Sequence, residues 1–311
     1  MVGLLFPGQG SQHVGMGREL AEAFPVARET FTEADEALGF ALSRLCWEGP
    51  EEDLTATINA QPALLVHSVA AYRVAQAELG DVQLAAGHSL GEFSAWVAAG
   101  AMDFADGVRT VRRRGELMYR SGTERPGAMA AVLGLADDAL EQVCREASGA
   151  GGECVPANYN SPGQLVISGD VGAVERAMAL AKAAGAKRAI RLNVSGAFHS
   201  PLMAVAQAGL DARLADVPLQ APAFPVVSNV TAEAVSDVLE ARRLLVRQLT
   251  SPVRWTASMR TMLDAGVTRF VELGAGGVLA GLLKRIDRSA TAVSVGAPAD
   301  LAALGAGSSA S

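Results

Sequence analysis

Histidine, cysteine and long apolar runs are scarce in this chain, and each scarcity closes off a class of chemistry. Only four histidines and three cysteines are spread over 311 residues. Cys46, Cys144 and Cys154 form no CxxC pair, and no His, Cys or carboxylate cluster has metal-ligand spacing. Neither a metal site nor a disulfide framework is therefore expected. An odd number of scattered cysteines fits buried or free thiols in a reducing compartment. No stretch approaches the roughly 18–20 apolar residues that span a bilayer. The apolar start MVGLLF has no basic segment before it and stops at Pro7, so no targeting segment is expected. A soluble, cytoplasmic protein follows as the expectation. Positive charge is in deficit too. A net charge of −7 argues against nucleic acid as a partner, and any anionic partner requires a local basic patch.

Half of the residues are hydrophobic, enough for one large domain, alone or carrying a smaller one. Residues 2–6 read as a short buried strand, followed by the Gly-rich loop PGQGSQHVGMG. Residues 15–47 are largely helical by pattern, and 60–79 form a helix with Pro62 placed in its first turn. QLAAGHS is a strand ending in a turn, and LGEFSAWVAAG is a helix. From 126 to 192 the texture changes. GAMAAVLGL is a strand and ADDALEQVCREAS a helix capped by Asp. CVPANYN and QLVISG are strands joined through a Ser-Pro-Gly turn at 161–163. DVGAVERAMALAKAAG is a helix and AKRAIRLNV a last strand, which completes the ferredoxin-like order β-α-β-β-α-β. A helix near 200–217, the strand FPVVSNV, a helical region, the strand RFVELG and a helix from about 277 follow. The expected fold is α/β: a mainly parallel sheet over 1–125 and 193–295, with an inserted small domain at 126–192. The small, Gly-rich segment 296–311 is expected to be a flexible tail. No internal repeat is present.

Four constellations carry chemistry. Gly87-His88-Ser89-Leu90-Gly91 lies between a strand and a helix, the setting of a nucleophile elbow. The plain alternative is a strand-to-helix turn with Ser89 as cap. In FPGQGSQ, two glycines flank Gln9 and leave its N–H open to serve as an oxyanion donor beside that of Leu90; a simple turn is the alternative. Among the histidines, His67 sits inside an apolar helix, and the His88 side chain should point away from its neighbour Ser89. His199, at a strand-to-helix junction, is the base by elimination, although a lone histidine is more often structural. In DFADGVRTVRRRGELMYRSG, read as a helix from about 104 to 121, Phe104, Val108, Val111 and Met118 make one apolar stripe. At about 100° per residue Arg114 flanks that stripe, Arg113 points away and Arg112 is ambiguous. A buried guanidinium needs an anion, either a substrate carboxylate or an internal Asp or Glu. ELGAGGVLAGLLKR places Leu279 where a dinucleotide loop needs its third glycine, so it reads as a tight turn.

Together FPGQGSQ, QPALL, GHSLGE, RRRGELM, ANYNSPGQLVISG, GAFHSPLM and QLTSPVRW resemble the malonyl-CoA:acyl carrier protein transacylases, in the family's order, up to about residue 295. The resemblance implies an α/β-hydrolase-like core with a ferredoxin-like insertion. It implies Ser89 as nucleophile, His199 as base, and the Gln9 and Leu90 N–H groups as the oxyanion hole. Arg114 would pair with the malonyl carboxylate. Gln61, Met118 and Asn160 would lie at the acyl site, and the Gln248 backbone carbonyl would orient the histidine. No Asp stands in position for a third catalytic member, so a dyad is expected. Phe198, a bulky residue before the base, goes with malonyl rather than methylmalonyl. The resemblance also implies no bound cofactor, malonyl-CoA as donor and the phosphopantetheine thiol of an acyl carrier protein as acceptor, with the enzyme expected to be a monomer. The run NVSGAFHSPLM leans toward the free-standing polyketide type. Because such carriers are acidic, Arg112, Arg113, Lys284 and Arg285 are candidates for docking. Two rivals remain: a serine hydrolase on the same dyad, and a silent docking module.

Overall fold

A short run that is apolar at every position must be covered on both faces. Among the described residues the strands, in chain order, are β1 Val2–Phe6, β2 Val82–Gly87, β3 Gly127–Leu133, β4 Cys154–Ser161, β5 Gln164–Asp170, β6 Arg188–Arg191, β7 Val226–Val227, β8 Ala234–Val235, β9 Arg269–Leu273 and β10 Thr291–Val295. β1 is buried along its whole length, at the centre of a six-stranded sheet of order β10-β9-β1-β2-β7-β8. All its pairs are parallel except β7–β8. This computed structural model describes residues 1–305.

β1 and β2 run in register from Gly3 opposite Leu84 to Phe6 opposite Gly87, after a one-residue shift between Val2 and Gly3, and β7 lies beside β2. Their carboxyl ends are therefore adjacent, and they release three loops at one place: Pro7–Gln9, His88–Ser89 and Ser228–Asn229. Ligands of such sheets bind outside the carboxyl ends of the strands. The Thr57–Ala75 helix packs over the sheet and is apolar on nearly every side, as a fully covered helix must be. Across it lies the Phe104–Glu124 helix, whose first turn is capped by Asp103 accepting from the Ala105 and Asp106 N–H groups. Gly115 sits at this crossing, where a Cβ would come 2.8 Å from the Thr57 carbonyl oxygen.

The second sheet, of order β4-β5-β3-β6, is antiparallel throughout. With helices Asp137–Gly149 and Val171–Ala183 it has the ferredoxin-like order. It encloses its own core, including Ala130, Leu140, Leu165, Ile167 and Val174. Met129, Ala157 and Val166 instead join the main core. Backbone bonds from Tyr159 N to Val253 O (2.9 Å) and from Val253 N to Ala157 O (2.8 Å) fasten β4 to the parallel-sheet body.

Four readings need correction. Pro62 is not in a first turn, because the helix begins at Thr57. With no N–H at Pro62, the Ile58 carbonyl loses its helical donor, and Arg112 Nη1 approaches it at 3.4 Å. The Asp137–Gly149 helix has Ala136 as its N-cap without a side-chain bond. Asp137 and Asp138 lie in its first turn, where they act on the helix dipole. β10 extends the parallel sheet beyond β9, whereas no strand was expected after the last helix; its alternation is weak because an edge strand is only half covered. Lastly, 296–305 is not a flexible tail. The Gly296 and Ala297 N–H groups donate to Asp300, Arg269 Nη2 donates to the Leu304 carbonyl, and Leu304 is buried. Residues 306–311 lie outside the described residues. Among the described residues no helix is long and apolar enough to cross a membrane.

Candidate active site

The turn after β2 is compressed to a degree that only glycine permits. A Cβ on Gly87 would stand 1.9 Å from the Gly91 carbonyl carbon, and one on Gly91 would stand 2.2 Å from the Phe6 carbonyl oxygen. The two glycines let strand, turn and the Gly91–Ala98 helix close on themselves and on the end of β1. Ser89 at the apex is held at φ 53°, a left-handed conformation costly for a residue with a side chain. Asn229, released by β7, pins it. Its Oδ1 accepts from the Ser89 N–H at 2.8 Å, and its Nδ2 donates to the Gly87 carbonyl at 2.7 Å.

Ser89 Oγ lies 2.8 Å from His199 Nε2. The other ring nitrogen, Nδ1, faces two carbonyl oxygens, Gln248 O at 3.0 Å and Ser251 O at 3.2 Å. Carbonyls only accept, so Nδ1 carries the proton and Nε2 presents its lone pair to the hydroxyl. Burial, and then the positive charge of Arg114, push the His199 pKa down to about 3, so the ring is a neutral base. His88 turns away from Ser89, as expected. Its ring centroid lies 5.5 Å from that of Trp255, tilted by 54°, and its Nε2 lies 2.8 Å from Asn160 Oδ1.

Arg114 is 1% exposed, whereas Arg112 and Arg113 stay near the surface and share Glu116. Its Nη1 donates to Gln61 Oε1 at 2.6 Å, and its Nη2 donates to Gln248 Oε1 at 2.9 Å and Ser89 Oγ at 3.1 Å. Its Nε has no partner among the described residues. Nor does any carboxylate there come within the 4.0 Å of an ion pair, so no internal Asp or Glu pairs with it directly. The cation is solvated by two amides and a hydroxyl, and burial draws its pKa down to about 10.

The other expected residues gather around this point. Gln61 is buried, and its Nε2 reaches Thr57 Oγ1 at 3.0 Å and Met118 Sδ at 3.4 Å. Thr57 donates in turn to Gln9 Oε1 at 3.0 Å, which ties the N-terminal loop to the site. The Gln9 and Leu90 N–H groups make no hydrogen bond among the described residues. Phe198 is buried beside His199, itself at φ 56°. Asn160 engages His88 rather than Arg114 or Ser89. Gln248 contributes its side chain as well as its carbonyl: Nε2 donates to Ser89 O at 3.0 Å and Glu92 Oε2 at 2.7 Å. Sequence reasoning missed Glu92, Asn229, Thr57 and Ser251. One signal existed, the lone carboxylate Glu92 in the otherwise uncharged GEFSAWVA helix; another was the polar pair Ser228-Asn229 directly after a strand. Among the described residues no group of His, Cys, Asp and Glu could hold a metal ion.

Known proteins share this architecture. The Escherichia coli K12 malonyl CoA-acyl carrier protein transacylase is 49% identical over 301 residues, covering 96% of this chain and 97% of that protein. The crystal structure of an acyl carrier protein S-malonyltransferase from Vibrio cholerae matches with a TM-score of 0.94 at 46% identity, covering 97% and 99% of the two chains. A malonyl-transacylase solved in complex with a type II polyketide synthase acyl-carrier protein, PlMCAT:AntF, matches with a TM-score of 0.94 at 45% identity, covering 97% and 98%. The acyl transferase domain family matches residues 4–302, and this chain belongs to that family.

Proposed function

We propose that this chain moves a malonyl group from malonyl-CoA to the phosphopantetheine thiol of an acyl carrier protein, through a malonyl ester on Ser89. The observation that carries the reading is Arg114: a buried cation without a carboxylate partner, 3.1 Å from the Ser89 hydroxyl. Ser89 Oγ attacks the thioester carbonyl while His199 Nε2 takes its proton. The tetrahedral oxyanion rests on the Gln9 and Leu90 N–H groups, each worth about 2.7–4 kcal/mol in comparable sites. The C–S bond breaks, CoA leaves as a thiol with the proton from His199, and malonyl-Ser89 remains. The carrier thiol then attacks the ester, His199 takes the thiol proton, and Ser89 recovers it on leaving. The order is ping-pong.

Arg114 supplies selectivity, because an acetyl group leaves the guanidinium without its anion. Gln61 and Gln248 aim the fork, Met118 and Phe198 wall the acyl group, and Gln248 O and Ser251 O fix the histidine tautomer. Asn160 acts on the site through His88. The parallel-sheet body over 1–125 and 193–295 carries the chemistry, with 126–192 as the smaller domain. The cycle uses no resident cofactor and takes place in the cytoplasm, for fatty acid or polyketide assembly. Docking falls to Lys284 and Arg285. Neither has a carboxylate within 4.0 Å among the described residues, whereas Arg112 and Arg113 share Glu116 as an ion-pair partner. Arg285 reaches Gln164 at 2.7 Å, at the β4–β5 turn.

The test is incubation with malonyl-labelled CoA and holo carrier protein. Label accumulating on the carrier faster than as free malonate is expected. Free malonate appearing first would make the chain a hydrolase.

A further inference from the structure

Arg114 poses a physical problem. A buried guanidinium normally needs a carboxylate, yet a direct ion pair would occupy the fork that an incoming substrate needs. The structure answers with Glu92. This residue is 1% exposed, makes no ion pair among the described residues, and has no part in the acyl cycle. Its Oε2 accepts from Gln248 Nε2 at 2.7 Å and from the Asn229 N–H at 3.0 Å. The Gln248 amide thus stands between the two charges, with its oxygen on Arg114 at 2.9 Å and its nitrogen on Glu92.

We propose that Glu92 is the resident counter-charge of Arg114, held one amide away, so that the guanidinium stays buried while its N–H groups remain available to a substrate carboxylate. The attraction of opposite charges persists across one amide at low dielectric. Glu92 also fixes which way the Gln248 amide points. Flipped, the amide would set its NH₂ against the guanidinium, donor against donor, and its oxygen against Ser89 O, Glu92 Oε2 and Asn229 Oδ1, all acceptors. Glu92 is therefore a positioning residue that acts through Gln248. Burial raises its carboxyl to about 7 and lowers Arg114 to about 10, while each charge acts on the other to oppose that shift.

The proposal rests on Arg114 as the group that recognises the carboxylate, and its test separates the two ideas. Full-length Glu92→Gln, Glu92→Asp, Arg114→Met and Glu92→Gln/Arg114→Met are compared by urea midpoint without substrate. Their Ser89 acylation by malonyl-CoA and by acetyl-CoA is measured as well. Glu92→Gln should lower the midpoint, and should lower it less in the Arg114→Met background. Its KM for malonyl-CoA should rise about tenfold while acylation by acetyl-CoA changes less than about twofold, with Glu92→Asp restoring most of the loss. Should Glu92→Gln fail to fold, recovery of folding in the double variant is the predicted result, and a double variant that also fails overturns the proposal. Additive midpoints, or equal losses for both donors, overturn it too. A wild type without preference for malonyl would refute Arg114 as the group that recognises the carboxylate, and the midpoints would still decide whether Glu92 is its counter-charge.

Discussion

In the proposed cycle Ser89, His199 and Arg114 form one unit, because each fixes a property the next needs. The carbonyls of Gln248 and Ser251 leave Nε2 as the acceptor, Arg114 helps to keep the ring neutral, and its Nη2 touches the hydroxyl. His199→Ala should slow acylation of Ser89 by about 10²–10⁴-fold, measured by burst kinetics. Ser89→Ala should show no acyl adduct by intact mass. A comparable burst in the histidine variant would remove the general-base role. These three residues were legible because local pattern marks them: an elbow motif, a shortage of other histidines and a helical angle. Glu92 and Asn229 were not, since the Glu92–Asn229, Ser89–Asn229 and Glu92–Gln248 bonds span 137 to 156 residues of sequence. No local periodicity reports such partners.

At the level of elements, the site is a meeting of strand ends under steric compression. Gly91→Ala drives a methyl into the Phe6 carbonyl. Overpacking of this kind costs about 1–3 kcal/mol, and here the strain falls on the elbow itself. Acylation should drop by more than the midpoint of unfolding suggests. Normal acylation in a folded Gly91→Ala protein would show that the elbow is not compressed. The Phe104–Glu124 helix was read well because one apolar stripe fixes its rotation, and Arg114 follows from that angle. Pro62 and β10 were misread for physical reasons. The helix start at Thr57 has no side-chain cap to announce it, and an edge strand lacks the two-sided burial that makes β1 plain.

For the whole molecule, buried ionisable groups set the response to acid. His67 is held near 4 and His199 near 3, both chiefly by burial, and His88 shifts the same way. The unfolded chain takes up these protons first, near 6.5, so stability is full above that value and is lost as pH falls toward 4 and 3. Glu92, raised to about 7, works in the opposite sense, since stability linked to it is lost as pH rises through 7. Glu272 and Asp137 are raised by burial and act with Glu92, whereas Asp170 is lowered and acts with the histidines. His67→Gln removes one proton-uptake site of the unfolded chain, so between pH 6.5 and 4.5 its thermal midpoint should shift downward less than that of the wild type; an equal shift in the variant would exclude His67 as a source. The proposed docking also belongs to this scale. Reversing Lys284 and Arg285 should raise KM for carrier protein and leave acylation by malonyl-CoA unchanged, and an unchanged KM would place docking elsewhere. The two-sheet architecture was legible because strand–helix alternation and the β-α-β-β-α-β order are patterns of whole segments. The order of 296–305 was not, because it depends on distant groups such as Arg269 and His67.

The most direct measurement is a competition. Wild type and Arg114→Ala are mixed briefly with equimolar malonyl-CoA and acetyl-CoA, and the adducts on Ser89 are weighed by intact mass. Loss of a charged hydrogen bond is worth up to about 3 kcal/mol, or about 100-fold. Malonyl should dominate on wild type, and the two adducts should become comparable on Arg114→Ala. Malonyl dominance undiminished in the variant would contradict the account.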